Sequence, residues 1–235
     1  MSFEKGLCIV TGVGPGTGAA LARRYAQGGY RVAMMARVKE RLDELEKEID
    51  GSIPCLVDVA DETALDKCMA DLVAEHGPVR ALVHNAVAST RGDFTKITPE
   101  DLRRNMEVNV IALLRMVQAV APAMEEAGSG SIVATGNTSA YRGKEFFAGL
   151  APTKAAQRIL LETMARKLGP KGIHVAFVAI DAAIDVPWTR EMLPDAPDEF
   201  FCQPRDIAEE CYRIAHQARS AWTFDTMIRP HVENW

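Results

Sequence analysis

Gly6-Leu7-Cys8-Ile9-Val10-Thr11-Gly12-Val13-Gly14-Pro15-Gly16-Thr17-Gly18 stands close to the start of the chain, and its reading decides the fold. The first half is a short apolar run of strand character. The second half is a glycine string, and helical character follows to residue 27. A glycine string alone is a weak signal. Between a strand and a helix it is strong, because glycines permit the tight turn and close approach of a pyrophosphate, while the helix N-terminus offers free N–H groups and the positive end of its dipole. Gly12, Gly14, Gly16, Thr17 and Gly18 are therefore candidate phosphate-binding residues, with a purely structural turn as the alternative.

The alternation continues outward. Residues 31–36 (RVAMMA), 53–58, 79–84, 131–135, 173–180 and 222–229 read as strands. Residues 39–49, 62–76, 152–168 and 206–217 read as helices. Thr98-Pro99-Glu100-Asp101 is a helix start, with a hydroxyl cap, a proline in the first turn and then acids; that helix should run to about Ala127 and stop at Gly128. Strands apolar on both faces imply a parallel sheet covered on both sides. Right-handed crossovers make it an α/β, Rossmann-type doubly wound sheet of about seven strands, in one domain over residues 1–235. The ligand crevice is then expected at the loops after the first and fourth strands, where the winding reverses. The proline-rich stretch 185–204 is long for a connection and reads as a substrate loop or lid. Trp188, Phe200, Phe201 and Trp235 either wall an apolar substrate pocket or pack a loop and a tail.

The bulk numbers exclude several classes. The chain has 235 residues, 48% hydrophobic and 25% charged, with a net charge of −5. No basic field invites nucleic acid or an anionic membrane. Residues 1–6 are too polar for a signal segment, and no apolar run is expected to span a membrane. Five scattered cysteines without a C-x-x-C pair suit reduced thiols in a cytoplasm. The histidines have no metal-ligand spacing, so no metal is expected.

The end of the second strand bears on the cofactor. An acid there would hold the adenosine ribose of NAD(H). Here Ala36 is followed by Arg37, which either pairs with a 2′-phosphate, preferring NADP(H), or starts a solvated helix. NAD(H) remains a possible ligand. Asp58 either accepts from an adenine amino group or caps the next turn.

These pieces, with His84-Asn85-Ala86, Asp58-Val59, Val108-Asn109-Val110 and Thr153-Lys154-Ala155-Ala156, resemble the short-chain dehydrogenase/reductase family over nearly the whole chain. The resemblance implies a cofactor site that includes Val59, Asn85, Ala86 and Lys154. It also implies an active site of Asn, Ser, Tyr and Lys. There the tyrosine exchanges a proton with the substrate oxygen, the lysine binds the nicotinamide ribose, the serine bonds the carbonyl, and the asparagine holds a relay water. Asn109 and Lys154 match by position. The tyrosine position holds Leu150 and the serine position Asn137. Leucine donates no proton at any pH, and the amide of Asn137 orients a carbonyl without being an acid. Tyr141, Thr138 and Ser139 follow Asn137 in sequence and Asp181 ends the sixth strand at the mouth; Tyr141 is the candidate replacement donor.

Two functions are therefore expected. One is an NADP(H)-dependent oxidoreductase acting on a small apolar carbonyl or activated alkene with a non-standard proton donor. The other is a non-catalytic NADP(H)-binding sensor or structural partner. The helix from Pro99 shows apolar residues on two faces, Leu102, Met106, Val110, Leu113 and Val117 on one and Val108, Ile111, Met116 and Ala119 on the other. A homodimer or homotetramer follows as the expectation.

Overall fold

The computed structural model describes residues 3–233. Strands β1 (Leu7–Thr11), β2 (Arg31–Ala36), β3 (Ile53–Leu56), β4 (Val79–His84), β5 (Gly130–Asn137) and β6 (Ile173–Ile180) alternate with helices. A short ladder of β7 (Ala183–Ile184) and β8 (Phe201–Cys202) follows, and β9 (Asp225–Ile228) completes the sheet. The seven-stranded sheet has the order β3-β2-β1-β4-β5-β6-β9, parallel throughout.

Side-chain alternation explains why the strands read as unbroken apolar runs. Leu7 and Ile9 of β1 face one core, and Cys8 and Val10 face the other. Helices α1 (Thr17–Gln27) and α2 (Lys39–Glu48) cover the second face. Helix α3 (Glu62–His76) covers the first. The chain winds outward from β1 to β3 and then back across to β4, so the loops after β1 and β4 meet at one mouth.

Thr98 caps α4 (Pro99–Met106) reciprocally with Asp101: each side chain bonds the other residue's backbone amide. The helix then takes one π turn, Glu107–Ile111, before α5 (Ala112–Ala127), which Gly128 ends at φ +60°. A π turn inserts one residue into the helical repeat, so Val108, Asn109 and Val110 are buried in succession. This corrects the two-faced helix read from sequence. Leu113, Met116 and Val117 are buried within the chain together with Val108 and Val110, while Leu102, Met106 and Ile111 are half-buried. Within the 29-residue stretch Pro99–Ala127 an 18-residue window reaches a mean hydropathy of 1.3, long and apolar enough to cross a membrane, but half of that window is buried inside the protein, as in a core helix.

Helix α6 (Ala151–Leu168) packs beside α5 on the first face. Pro187–Met192 forms the short helix α7, and α8 (Pro204–Ala215) packs on α1 through Tyr212 against Tyr25. Strand β3 ends at Leu56 rather than at Asp58, and β5 runs two residues beyond Thr135 because Gly136 and Asn137 still pair with β6.

Gly12 sits at φ +66°, and a Cβ there would lie 2.6 Å from the backbone of Ala86. Gly12→Ala should therefore cost about 2–4 kcal/mol, combining left-handed strain with overpacking against an immovable main chain. Urea denaturation checks this, and a loss below about 1 kcal/mol would show that the β1 and β4 loops are not held this closely.

Candidate active site

Thr11 ends β1, and its Oγ1 accepts hydrogen bonds from the amides of Asn85 and Ala86, both at 3.1 Å. Having accepted two amides, the hydroxyl donates its own proton to His84 Nδ1, 3.2 Å away. His84 therefore carries its hydrogen on Nε2 and donates it to the Val108 carbonyl at 3.1 Å. Full burial, reinforced by the charge of Lys154, holds the His84 pKa down at about 3, so the ring is neutral. Asn85 donates from Nδ2 to the Gly12 carbonyl at 3.0 Å and accepts from Thr135 at 3.0 Å. One hydrogen-bonded net thus joins the ends of β1, β4 and β5 and the π turn.

Above this net lies a cavity of about 990 Å³. Of the residues singled out in the sequence, Gly12, Gly14, Gly16, Thr17, Gly18, Arg37, Val59, Asn85 and Ala86 line it. Residues of the 185–204 stretch line it too: Val186, Trp188, Thr189, Met192 and Leu193. Phe200 and Phe201 meet edge to face and are not among its lining residues, and Trp235 lies outside the described residues. The loop closes directly over the glycines, since a Cβ on Gly16 would meet Val186 at 2.6 Å.

The residues present fit a dinucleotide. The Thr17 hydroxyl is buried without a partner at the start of α1. Arg37 and Arg41 line the cavity and enter no ion pair among the described residues. Asp58 is otherwise engaged. It accepts from the Ala60 amide at 3.1 Å and from Arg104 at 2.5 Å. Burial opposes its charge, but these two bonds and the charges of Arg104 and Arg37 together outweigh burial and hold its pKa low. It is Arg104, which the sequence reading passed over, that lines the cavity in its stead.

Asn109 and Lys154 are brought together deep in the wall, behind the cavity lining. Asn109 donates from Nδ2 to the Ala88 carbonyl and to Thr153 Oγ1, both at 2.9 Å, and accepts from the Ala88 amide at 3.0 Å. Lys154, only 3% exposed, donates to the Thr135 carbonyl at 3.1 Å and to Gln157 Oε1 at 2.9 Å. Burial pulls its pKa down to about 7. Gln157 is also fully buried and donates from Nε2 to the Asn109 carbonyl at 2.8 Å. An amide therefore bridges the lysine to the asparagine main chain. Sequence reasoning missed Gln157; the available signal was a glutamine one turn after Lys154 on the same helical face.

Leu150, 2% exposed, occupies the residue before α6. Asn137 spends its Oδ1 capping the turn after β5, accepting from the Ser139 amide at 3.1 Å. Tyr141 stands apart from Lys154 and Asn109. It is 43% exposed, its hydroxyl donates to Asp225, and the ring lies against Phe177. Partial burial, with the Asp225 carboxylate adding to it, raises its pKa. Asp181 accepts from Thr138 at 3.1 Å through Oδ1, while its Oδ2 is buried without a partner.

Comparison with known proteins agrees with this architecture. Residues 7–193 match the family model described as short chain dehydrogenase. The chain is 34% identical over 176 residues to a D-erythrulose reductase of Gallus gallus, spanning 74% of this chain and 70% of that protein. It superimposes on a short-chain dehydrogenase from Streptomyces avermitilis with a TM-score of 0.85 at 27% identity, over 97% of this chain and 89% of the other. A metagenomic short-chain oxidoreductase solved in complex with NADP gives a TM-score of 0.83 at 26% identity, over 99% and 100% of the two chains.

His84 gives the net a pH signature. An unfolded histidine titrates near 6.5 and the folded one at about 3, so between these values only the unfolded state takes up the proton. Stability is fully present above pH 6.5 and falls towards pH 3. In urea titrations, His84→Gln, which keeps a donor and an acceptor but does not titrate, should show a shallower loss over that window than the wild type. Parallel curves would refute a neutral buried His84.

Proposed function

Because the chain belongs to the short-chain dehydrogenase family, we propose that it is an NADP(H)-dependent oxidoreductase acting on a small apolar carbonyl or activated alkene. The observation that carries this reading is the pair Arg37 and Arg41, cationic and in no ion pair among the described residues, on the wall of a cavity floored by the glycine loop. No acid follows β2 to hold a ribose 2′-hydroxyl, and a guanidinium fork suits a 2′-phosphate. The glycine loop and the start of α1 would hold the pyrophosphate, whereas Lys154 would reach a nicotinamide ribose only by leaving Thr135 and Gln157. The bound cofactor supplies or accepts the hydride. Trp188, Met192 and Leu193 give the substrate end an apolar wall.

The proton has to travel by a route other than residue 150. The Tyr141 hydroxyl is committed to Asp225, and Asp181 accepts from Thr138 and pairs with Arg142 at 3.6 Å, its second oxygen buried and outside the cavity lining. In the direction of alcohol oxidation, the hydroxyl proton would therefore pass to solvent as hydride leaves the carbon.

A second reading, a non-catalytic NADP(H)-binding protein, is supported by the Lys154–Gln157–Asn109 bridge. A carboxamide between the ammonium and the Asn109 carbonyl fills the place where a relay water would sit, and an amide does not pass protons on. Assembly as a homodimer or homotetramer is proposed for the α5–α6 side, where Ile159 is 54% exposed and Leu114 half-buried. A cytoplasmic location is proposed with it.

Titration with both cofactors should show NADPH binding at least ~10-fold tighter than NADH, with Arg37→Asp reversing the order. Equal affinities would remove the NADP(H) assignment.

Leu150→Tyr with Asn137→Ser places a phenol one turn before Lys154. It should raise turnover of an aldehyde or ketone panel by about 10²-fold, as expected of a positioned acid. If the variant binds NADPH well and gains nothing, the non-catalytic reading becomes the better one. If instead the wild type already turns over, Tyr141→Phe should leave kcat unchanged.

A further inference from the structure

A second cavity, of about 390 Å³, lies at the opposite end of the sheet, where β4, β5 and β6 begin. Lys5, Arg80 and Arg219 line it, together with Ser131, His174 and Trp222, and no Asp or Glu is among its lining residues. Many arginines elsewhere meet carboxylates, as in Arg23 with Glu48 and Arg158 with Asp225, both at 2.6 Å. Here they do not. Arg80 makes no hydrogen bond or ion pair among the described residues, and its Nη1 is shut off from solvent. Lys5 and Arg219 donate only to neutral oxygens, Lys5 to the Tyr212 hydroxyl and Arg219 to the Gly128 carbonyl, each at 2.6 Å. Ser131 is 5% exposed, lines the cavity, and makes no hydrogen bond through its hydroxyl among the described residues.

Three cations gathered in one concave wall repel one another, and the walls limit screening by solvent. In a chain whose net charge is −5, such a gathering stores unfavourable energy unless an anion joins it. Guanidinium groups with a free hydroxyl donor form the set that recognises the oxygens of a phosphate. The remaining wall is aromatic. Trp222 stacks on His174 at 4.7 Å, and His174 is anchored through Nε2 to the Thr223 carbonyl at 2.9 Å. Burial keeps His174 below its usual pKa, so the charge comes from the lysine and arginines alone. The volume exceeds what a bare phosphate needs and lies within the range of small-molecule sites.

We propose that this cavity is a binding site for a phosphate monoester with a flat or apolar body, separate from the cofactor cleft. The phosphate would meet Arg80, Arg219, Lys5 and Ser131, and the body would lie along Trp222.

Calorimetric titration tests it, using inorganic phosphate and phenyl phosphate at constant ionic strength. The Arg37→Asp background weakens phosphate capture in the cofactor cleft. Saturable binding should persist in that background, with phenyl phosphate the tighter probe. It should weaken at least tenfold when Arg80→Met and Arg219→Met are added. Arg219→Met alone, on a surface turn, should weaken binding severalfold and serves as the second variant if the double change unfolds the chain by circular dichroism. Three results would overturn the proposal: no saturable binding, equal affinity with and without the two arginines, or loss of binding on Arg37→Asp alone. Inorganic phosphate binding as tightly as phenyl phosphate would overturn the assignment to a monoester.

Discussion

The hydroxyl of Thr11 is the contact on which the rest of the site depends. It takes two amide hydrogens from the loop after β4 and gives its own to His84. This clamps the two strands between which the winding reverses. In a doubly wound sheet that reversal opens the only gap between helices large enough for a dinucleotide. The clamp also explains Gly12, whose missing side chain lets the two loops touch through their main chains. His84 carries the tie on to the π turn, where the extra residue turns the Asn109 side chain inward.

Behind the clamp the chemistry is governed by desolvation. Lys154 sits among donors and acceptors with no carboxylate among its hydrogen-bond partners, and its charge is held by two neutral oxygens. A buried ammonium so placed gives up its proton near neutral pH. Asn109 is used up by the backbone of Ala88 and by Thr153, and Gln157 by Lys154 and Asn109. The interior of the site is therefore saturated with hydrogen bonds, and the unspent capacity is at its edges: the Thr17 hydroxyl, the Arg37 and Arg41 guanidiniums and one oxygen of Asp181. A cavity lined by the glycine loop thus stands beside a corner in which Lys154, Gln157 and Asn109 are hydrogen-bonded to one another, and the proposed function and its non-catalytic alternative differ on that corner alone.

Much of this was legible in the residues. The strand from Val79 to His84 and the helices from Thr17 and Glu62 begin and end where apolar period and capping residues place them. The glycine loop and Arg37 were legible because each is a local signal beside a strand end. The less legible features share one cause, dependence on partners distant in sequence. The π turn leaves no mark in a 3.6-residue pattern, since Val108, Asn109 and Val110 are inward only through what they pack against. Tyr141, close to Asn137 in sequence, is drawn to the far edge of the sheet by Asp225, a residue 84 positions away. Asp58 ends where a strand should, yet Arg104 claims it.

The sequence by itself determined the parallel α/β sheet, the position of its ligand mouth and the absence of a phenol at residue 150. These follow from side-chain period, from glycine's backbone freedom and from residue identity, none of which needs a third dimension. Tertiary structure alone decided which polar groups are spent and which are free. That distinction made Gln157 the partner of Lys154, gave the Tyr141 hydroxyl to Asp225 and left Arg80 without a counter-charge among the described residues. Hydrogen bonds and ion pairs are satisfied across space, and burial fixes what an unsatisfied one costs.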